Sequence, residues 1–232
     1  MHYYEIKISV GLKSDLHFQK SPQAISKLIS TSLIKGGYEE HFDVKVKNYV
    51  FSNLGKAKNG IYKENGTIYF RSFDINLTQM LLKGLFLNEN DKIFDIKDAR
   101  YKKISYRPIT ALKTLNPTFV KIKENGRFWT VRENGDIEVL LKALEANLIR
   151  KYESFFKEKL LVKDRFVEFL RIDNKTPYTF YVKKGRVFGN IFYLVPKDDE
   201  VSQKLAFTAL ANGLGHLNSS LGGGYCISLR KN

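Results

Sequence analysis

The 232-residue chain carries 39 Lys and Arg against 24 Asp and Glu, a formal charge of +15, and its 43% hydrophobic and 13% aromatic content is enough to fill a core. That combination excludes a disordered basic tail. No apolar run reaches the roughly 18 residues of a membrane span, and the N-terminus lacks the basic-then-apolar layout of a signal peptide. The single cysteine, Cys226, excludes an internal disulfide and any cysteine-rich metal site. A reducing, cytoplasmic compartment is expected. The charge exceeds what solubility needs in a domain of this size. It points to a polyanionic partner, nucleic acid first, an anionic membrane surface or an acidic protein after it.

Tyr3 to Val10 alternates polar and apolar residues, with Tyr4, Ile6 and Ile8 on one face, and is predicted to be a strand. Ser21-Pro22 offers an N-cap and a first helical residue; Ile25, Leu28, Ile29, Leu33 and Ile34 then recur at helical spacing until Gly36-Gly37 stops the helix. Lys45 to Ser52 and Gly66 to Phe73 read as strands, Leu77 to Leu87 as a second helix, and Lys92 to Ser105 contains a further strand. Strand, helix, strand, strand, helix, strand is the order of a ferredoxin-like domain, whose sheet has helices on one face and leaves the other free for a ligand.

Pro108 and Pro117 bracket Ile109 to Asn116, which reads as a linker. The order then recurs. Phe119 to Lys123 is predicted as a strand, with Arg127 to Arg132 extending it or forming a hairpin with it. A long helix covers Ile137 to Phe156, its apolar side formed by Leu140, Leu141, Leu144, Leu148, Tyr152 and Phe155. Strands follow at Val167 to Ile172, Thr179 to Lys183 and Arg186 to Val195, then a helix over Val201 to Asn212 and a closing strand from Tyr225 to Arg230. The expected fold is α+β, two tandem ferredoxin-like βαββαβ domains spanning 1–108 and 109–232.

Between the last helix and the last strand runs Gly213-Leu-Gly-His-Leu-Asn-Ser-Ser-Leu-Gly-Gly-Gly224, five glycines in twelve residues. Glycine admits positive φ and removes side chains, so successive backbone N–H groups can face one anion. Lys204, His216, Arg230 and Lys231 lie close by in sequence. The pattern is neither a Walker loop nor a Rossmann turn, and it is longer than the roughly two to six residues of a plain helix-to-strand link.

Val187-Phe-Gly-Asn-Ile-Phe-Tyr-Leu-Val195, the short helix and this loop resemble the C-terminal half of the CRISPR-associated precursor-crRNA endoribonucleases of the RAMP superfamily, the Cas six family. Arg107-Pro108-Ile109 resembles the Ser-Pro-Ile that often opens their second domain. The likeness covers nearly the whole chain in element order; the loop is slightly longer than the usual pattern and has Gly223 where an aromatic is common. The resemblance implies cleavage of CRISPR repeat RNA without metal or cofactor, leaving 2′,3′-cyclic phosphate and 5′-hydroxyl ends. It also implies hand-over of guides to other Cas proteins of an interference complex. No membrane partner is expected, and the chain is expected to be a monomer or a homodimer.

In that family the active-site histidine follows the first helix and a lysine lies six residues on, a pattern that His41 and Lys47 fit. The third member in some enzymes is a tyrosine of the first helix; the aligned position is about Ser30, and no tyrosine lies between Ser21 and Gly37. RNA contacts are expected at Gly213, Gly215, His216, Gly222, Gly223 and Gly224, and at Lys184 and Arg186 of the basic run Lys183-Lys-Gly-Arg186. His2 sits at the terminus, and His17, in the loop before the first helix, is expected to be structural or peripheral. The aromatic runs Tyr49-Val-Phe51 and Tyr178-Thr-Phe-Tyr181 can stack bases, but alternate strand positions must also fill a core. Two other readings share these features: a cleavage-deficient RAMP subunit that grips RNA without cutting it, and a generic sheet-based RNA-binding protein.

Overall fold

The computed structural model describes residues 1–38, 47–88, 91–122, 126–131, 135–182 and 185–229. The chain divides into two compact units, Met1–Ser105 with Ser219–Gly222, and Tyr106–Asn218 with Gly223–Asn232.

The first unit contains β1 (His2–Leu12), the short β2 (Leu16–His17), α1 (Ser21–Lys35), β3 (Tyr49–Phe51), the short β4 (Ile61–Tyr62), β5 (Asn65–Ser72), α2 (Ile75–Phe86) and β6 (Phe94–Ser105). Its antiparallel sheet has the order β3-β5-β1-β6, the ferredoxin-like arrangement, while β2 and β4 form a separate ribbon. Ile6, Ile8 and Val10 of β1 lie opposite Phe70, Ile68 and Gly66 of β5. They join one core with Ile25, Leu28, Ile29 and Leu33 of α1 and Leu77, Leu81 and Leu85 of α2. On the alternate face Glu5 pairs with Arg71 at 2.7 Å, both side chains buried, and Lys102 reaches Glu5 at 3.1 Å.

Ser21 is the first helical residue rather than the cap of α1: Lys20 is the N-cap, without a side-chain bond, and the Ser21 hydroxyl lies 2.6 Å from Asn53 Oδ1. Ile34, expected on the buried stripe, is 47% exposed in the last turn. Asp74 caps α2, accepting from the N–H groups of Asn76 and Leu77. A Cβ on Gly84 would lie 1.6 Å from Ser32 O, and one on Gly36 would lie 1.9 Å from Met80 O, so α1 and α2 touch backbone to backbone.

The second unit contains β7 (Ala111–Thr114), α3 (Ile137–Phe156), β8 (Val167–Ile172), β9 (Tyr178–Val182), β10 (Gly185–Gly189), β11 (Phe192–Pro196), α4 (Glu200–Asn212) and β12 (Cys226–Leu229); the single turn α5 (Asn218–Leu221) falls, from Ser219 on, in the first unit. Its main sheet runs β12-β7-β11-β8, again ferredoxin-like, and β9 and β10 form a hairpin of their own. Two expectations change here. The first strand is β7, inside the expected linker, with Leu112 opposite Leu194 and both buried. The described part of 119–123 makes only isolated bridges, Phe119 to His216 and Lys121 to Phe128. The expected strand from Arg186 to Val195 is also broken: at the break Ile191 N–H donates to Asn174 Oδ1 and Asn190 N–H to Thr118 O, so β10 and β11 enter different sheets.

Helix α3 starts on its Asp136 cap and buries Leu140, Leu141, Leu144, Leu148 and Tyr152, and on the same stripe also Asn147 and Lys151. No described helix is long and apolar enough to cross a membrane.

Candidate functional site

His41 falls in 39–46, outside the described residues. Lys47 is half-buried just ahead of β3, and burial holds its ammonium below the usual lysine range. Ser30 lies on α1, where its hydroxyl donates to Lys27 O of the same helix at 3.1 Å. Within the first unit Ser26 Oγ also donates to Ser219 O at 3.1 Å. Tyr49, Val50 and Phe51 are buried and serve the core; burial, with Tyr38 adding to it, raises the Tyr49 phenol, and a hydrogen bond with Ser219 offsets part of that.

The glycine-rich loop is a packed part of the molecule, not a surface strap. Gly213, Leu214, Gly215 and 221–224 are all buried. The glycines permit backbone to meet backbone. A Cβ on Gly224 would lie 1.9 Å from Leu214 O, and one on Gly215 would lie 2.7 Å from Phe119 O. Positive φ at Gly213, Gly215, Gly222 and Gly224 bends the chain into this shape. The N–H groups expected to face an anion are turned inward at several positions. Gly213 donates to Ala209 O, His216 to Phe119 O, Gly223 to Leu217 O and Gly224 to Pro117 O. Asn218 Nδ2 braces the loop from within, donating to Gly223 O at 2.6 Å and Leu214 O at 3.3 Å.

His216 is the loop's titratable group. Its Nδ1 accepts the Lys121 N–H at 3.2 Å, so the neutral ring carries its proton on Nε2. Burial, then the charges of Lys151 and Arg150, press its pKa down to about 4. Below the loop, Lys151 Nζ donates to Gly213 O and Gly215 O, 2.7 Å to each.

The hairpin β9–β10 presents two faces. Phe180 and Val187 pair across the strands and are buried, Phe180 meeting Phe119 edge to face at 5.9 Å. On the other face Tyr181, 62% exposed, pairs with the exposed Arg186. Lys184 lies outside the described residues. Among the described residues no group of three or more His, Cys, Asp or Glu is gathered as metal ligands would be.

The sequence from 98 to 226 matches the family described as CRISPR associated protein Cas6, C-terminal. The chain belongs to this family. A solved structure described as CRISPR associated protein Cas6 shares the fold at a TM-score of 0.72 and 19% identity, covering 98% of this chain and 100% of that one. So does one described as a RAMP protein binding different RNA substrates, at a TM-score of 0.75 and 16% identity, covering 98% of this chain and 100% of that one. A third is a Cas6 product complex from Thermus thermophilus, with a TM-score of 0.63 and 14% identity over 98% of this chain and 99% of that one. No curated protein sequence matches the chain.

Three residues that shape the Cas6 glycine-rich loop here escaped sequence reading: Phe119, Lys151 and Asn218. Phe119 read as an ordinary strand residue, and the pattern did not single out Lys151. For Lys151 the signal was its place one residue before Tyr152 and three after Leu148, at the edge of the apolar stripe.

Proposed function

We propose that the chain binds CRISPR repeat RNA and cuts the precursor transcript into guide units. Membership of the Cas6 family over 98–226 carries this reading. Solved proteins of the same fold include an RNA-binding RAMP protein and a Cas6 product complex, and the +15 charge suits a polyanion.

The chemistry assigned is transesterification within the RNA. The 2′-oxygen attacks the adjacent phosphorus and the bond to the 5′-oxygen breaks. One proton leaves the 2′-hydroxyl and one reaches the departing 5′-oxygen, giving 2′,3′-cyclic phosphate and 5′-hydroxyl ends with no metal in any step. His41 is assigned proton transfer, because imidazole titrates near neutral pH. Lys47 is assigned the charge of the phosphorane, and its partial burial supports the role, since a less solvated ammonium acts more strongly on a nearby anion. Ser30 ranks third: its hydroxyl is directed to Lys27 O but retains the capacity to accept. The loop residues Gly213, Gly215, His216, Gly222, Gly223 and Gly224, with Lys184 and Arg186, are assigned to holding RNA, the loop through its shape and His216 rather than through a row of free N–H groups.

One observation favours a second reading, a subunit that grips RNA without cutting it: Ser30 stands where some of the enzymes that this chain resembles carry tyrosine. Incubating the purified protein with repeat RNA in EDTA separates the two. Cleavage should proceed, and His41→Ala should slow it by about 10²–10⁴ while leaving binding intact. Lys47→Ala should slow it less. Binding without cleavage selects the subunit, and absence of both overturns the RNA reading.

A further inference from the structure

Lys151 has no part in the chemistry above, yet at 5% exposure it is the most deeply buried cation among the described residues. Arg71, the next, is answered by Glu5 at 2.7 Å. Among the described residues no carboxylate forms an ion pair with Lys151; two carbonyl oxygens of the glycine-rich loop are what its ammonium touches, at 2.7 Å each. Burial and the nearby Arg150 press its pKa well below the usual lysine range. A buried charge without a counter-ion is costly, and a neutral amide donor would brace two carbonyls at less cost.

The placement gives the charge a use. Each carbonyl turned down to Lys151 is an oxygen not turned outward, where it would repel a phosphate. The positive charge itself stays beneath the loop, in surroundings that screen its field weakly. The loop glycines allow the required bend, with φ of +79° at Gly213 and +68° at Gly215. We propose that Lys151 is a positioning residue for RNA: from within the second unit it draws the carbonyls of Gly213 and Gly215 inward and gives the glycine-rich loop a positive charge toward bound phosphate. This rests on the RNA reading above.

The test uses the full chain and repeat RNA with a 2′-deoxy sugar at the scissile position, so that binding is read without cutting. Lys151→Met should bind about 10- to 100-fold more weakly than wild type at a temperature where both are folded. Lys151→Gln should fall between them, and Lys151→Arg should recover most of the affinity. With cleavable RNA at saturation, single-turnover rates should stay within about twofold of wild type, since ground-state binding is what is lost. A lower melting temperature with unchanged affinity per folded molecule would make Lys151 a brace alone and overturn the proposal. Should Lys151→Met fail to fold, Lys151→Gln is judged by the same criterion. The lysine ammonium signals of the unaltered chain provide a third arm: the Lys151 resonance should move when RNA is added, and a static one refutes the proposal. A wild-type chain that binds no RNA refutes the RNA reading itself.

Discussion

The ring of Phe119 fills the space in front of Gly223: a Cβ at residue 223 would come within 2.7 Å of the ring's Cδ2. The same ring stands 2.9 Å from where a Cβ of Gly189 would be. One side chain, 1% exposed, therefore seats both the hairpin β9–β10 and the glycine-rich loop. The loops that this one resembles often carry an aromatic at the position of Gly223; here an aromatic arrives from a different part of the chain.

Close approach of this kind predicts a stability cost. Gly224→Ala would press a Cβ onto Leu214 O, 1.9 Å away, at a φ of +64°. Overpacking costs about 1–3 kcal/mol, and the left-handed backbone adds about 1–2 kcal/mol. Each kcal/mol lowers the melting temperature by about 2–4 °C in a chain of this size. Gly37→Ala, at a φ of +98° with nothing within 4 Å, should show the backbone part alone. Thermal scans decide it, and equal melting temperatures for the two variants would count against the close-approach role.

The outer face of the hairpin should divide stability from binding. Tyr181 is 62% exposed and faces Arg186 across the strands. Tyr181→Ala should alter stability by no more than about 0.5 kcal/mol and weaken RNA binding by about 1–3 kcal/mol if a base stacks there. Arg186→Ala should reduce the slope of log affinity against log salt by about one. Titrations at several salt concentrations measure both. An unchanged slope removes Arg186 from the phosphate contacts.

His216 ties stability to acid. Its folded pKa is about 4, against 6.5 for an ordinary histidine. Between those values the unfolded chain takes up a proton that the folded chain refuses. The ring's contribution is therefore constant above about pH 6.5 and is lost progressively as pH falls toward 4, by at most about 3 kcal/mol. His216→Phe should start less stable at pH 7, having lost the acceptor for Lys121 N–H, but should decline less between pH 7 and 4.5. Urea midpoints at the two pH values measure this, and parallel declines would contradict it.

The long helix α3 was readable because its leucines repeat at helical spacing, and Val167 to Ile172 because Val, Phe, Leu and Ile crowd a short run that ends at Asp173-Asn174. The first strand of the second unit was not. Ala111 to Thr114 has only four residues between two prolines, and it is a strand because Leu112 meets Leu194 across the sheet, a pairing between distant segments. Conversely Phe119, Val120 and Ile122 have strand-like composition but are buried outside the main sheet. His41 and Lys47 were legible through resemblance; periodicity says nothing about either. The inward turn of the loop's N–H groups could not be read at all, since glycine spacing states what a backbone is permitted to do and not which partner it finds.

The contact of Gly84 with Ser32 O and of Gly36 with Met80 O has an evolutionary consequence. Most helix pairs are spaced by side chains, so every exchange of a large residue for a small one renegotiates the distance. Here the spacing is set by peptide atoms that every amino acid supplies, and a Cβ at residue 84 would already lie 1.6 Å from its neighbour. As long as those two glycines persist, the remaining core residues of the first unit are free to drift without moving the helices apart. Such tolerance suits a fold held in common with a solved Cas6 structure only 19% identical to this chain.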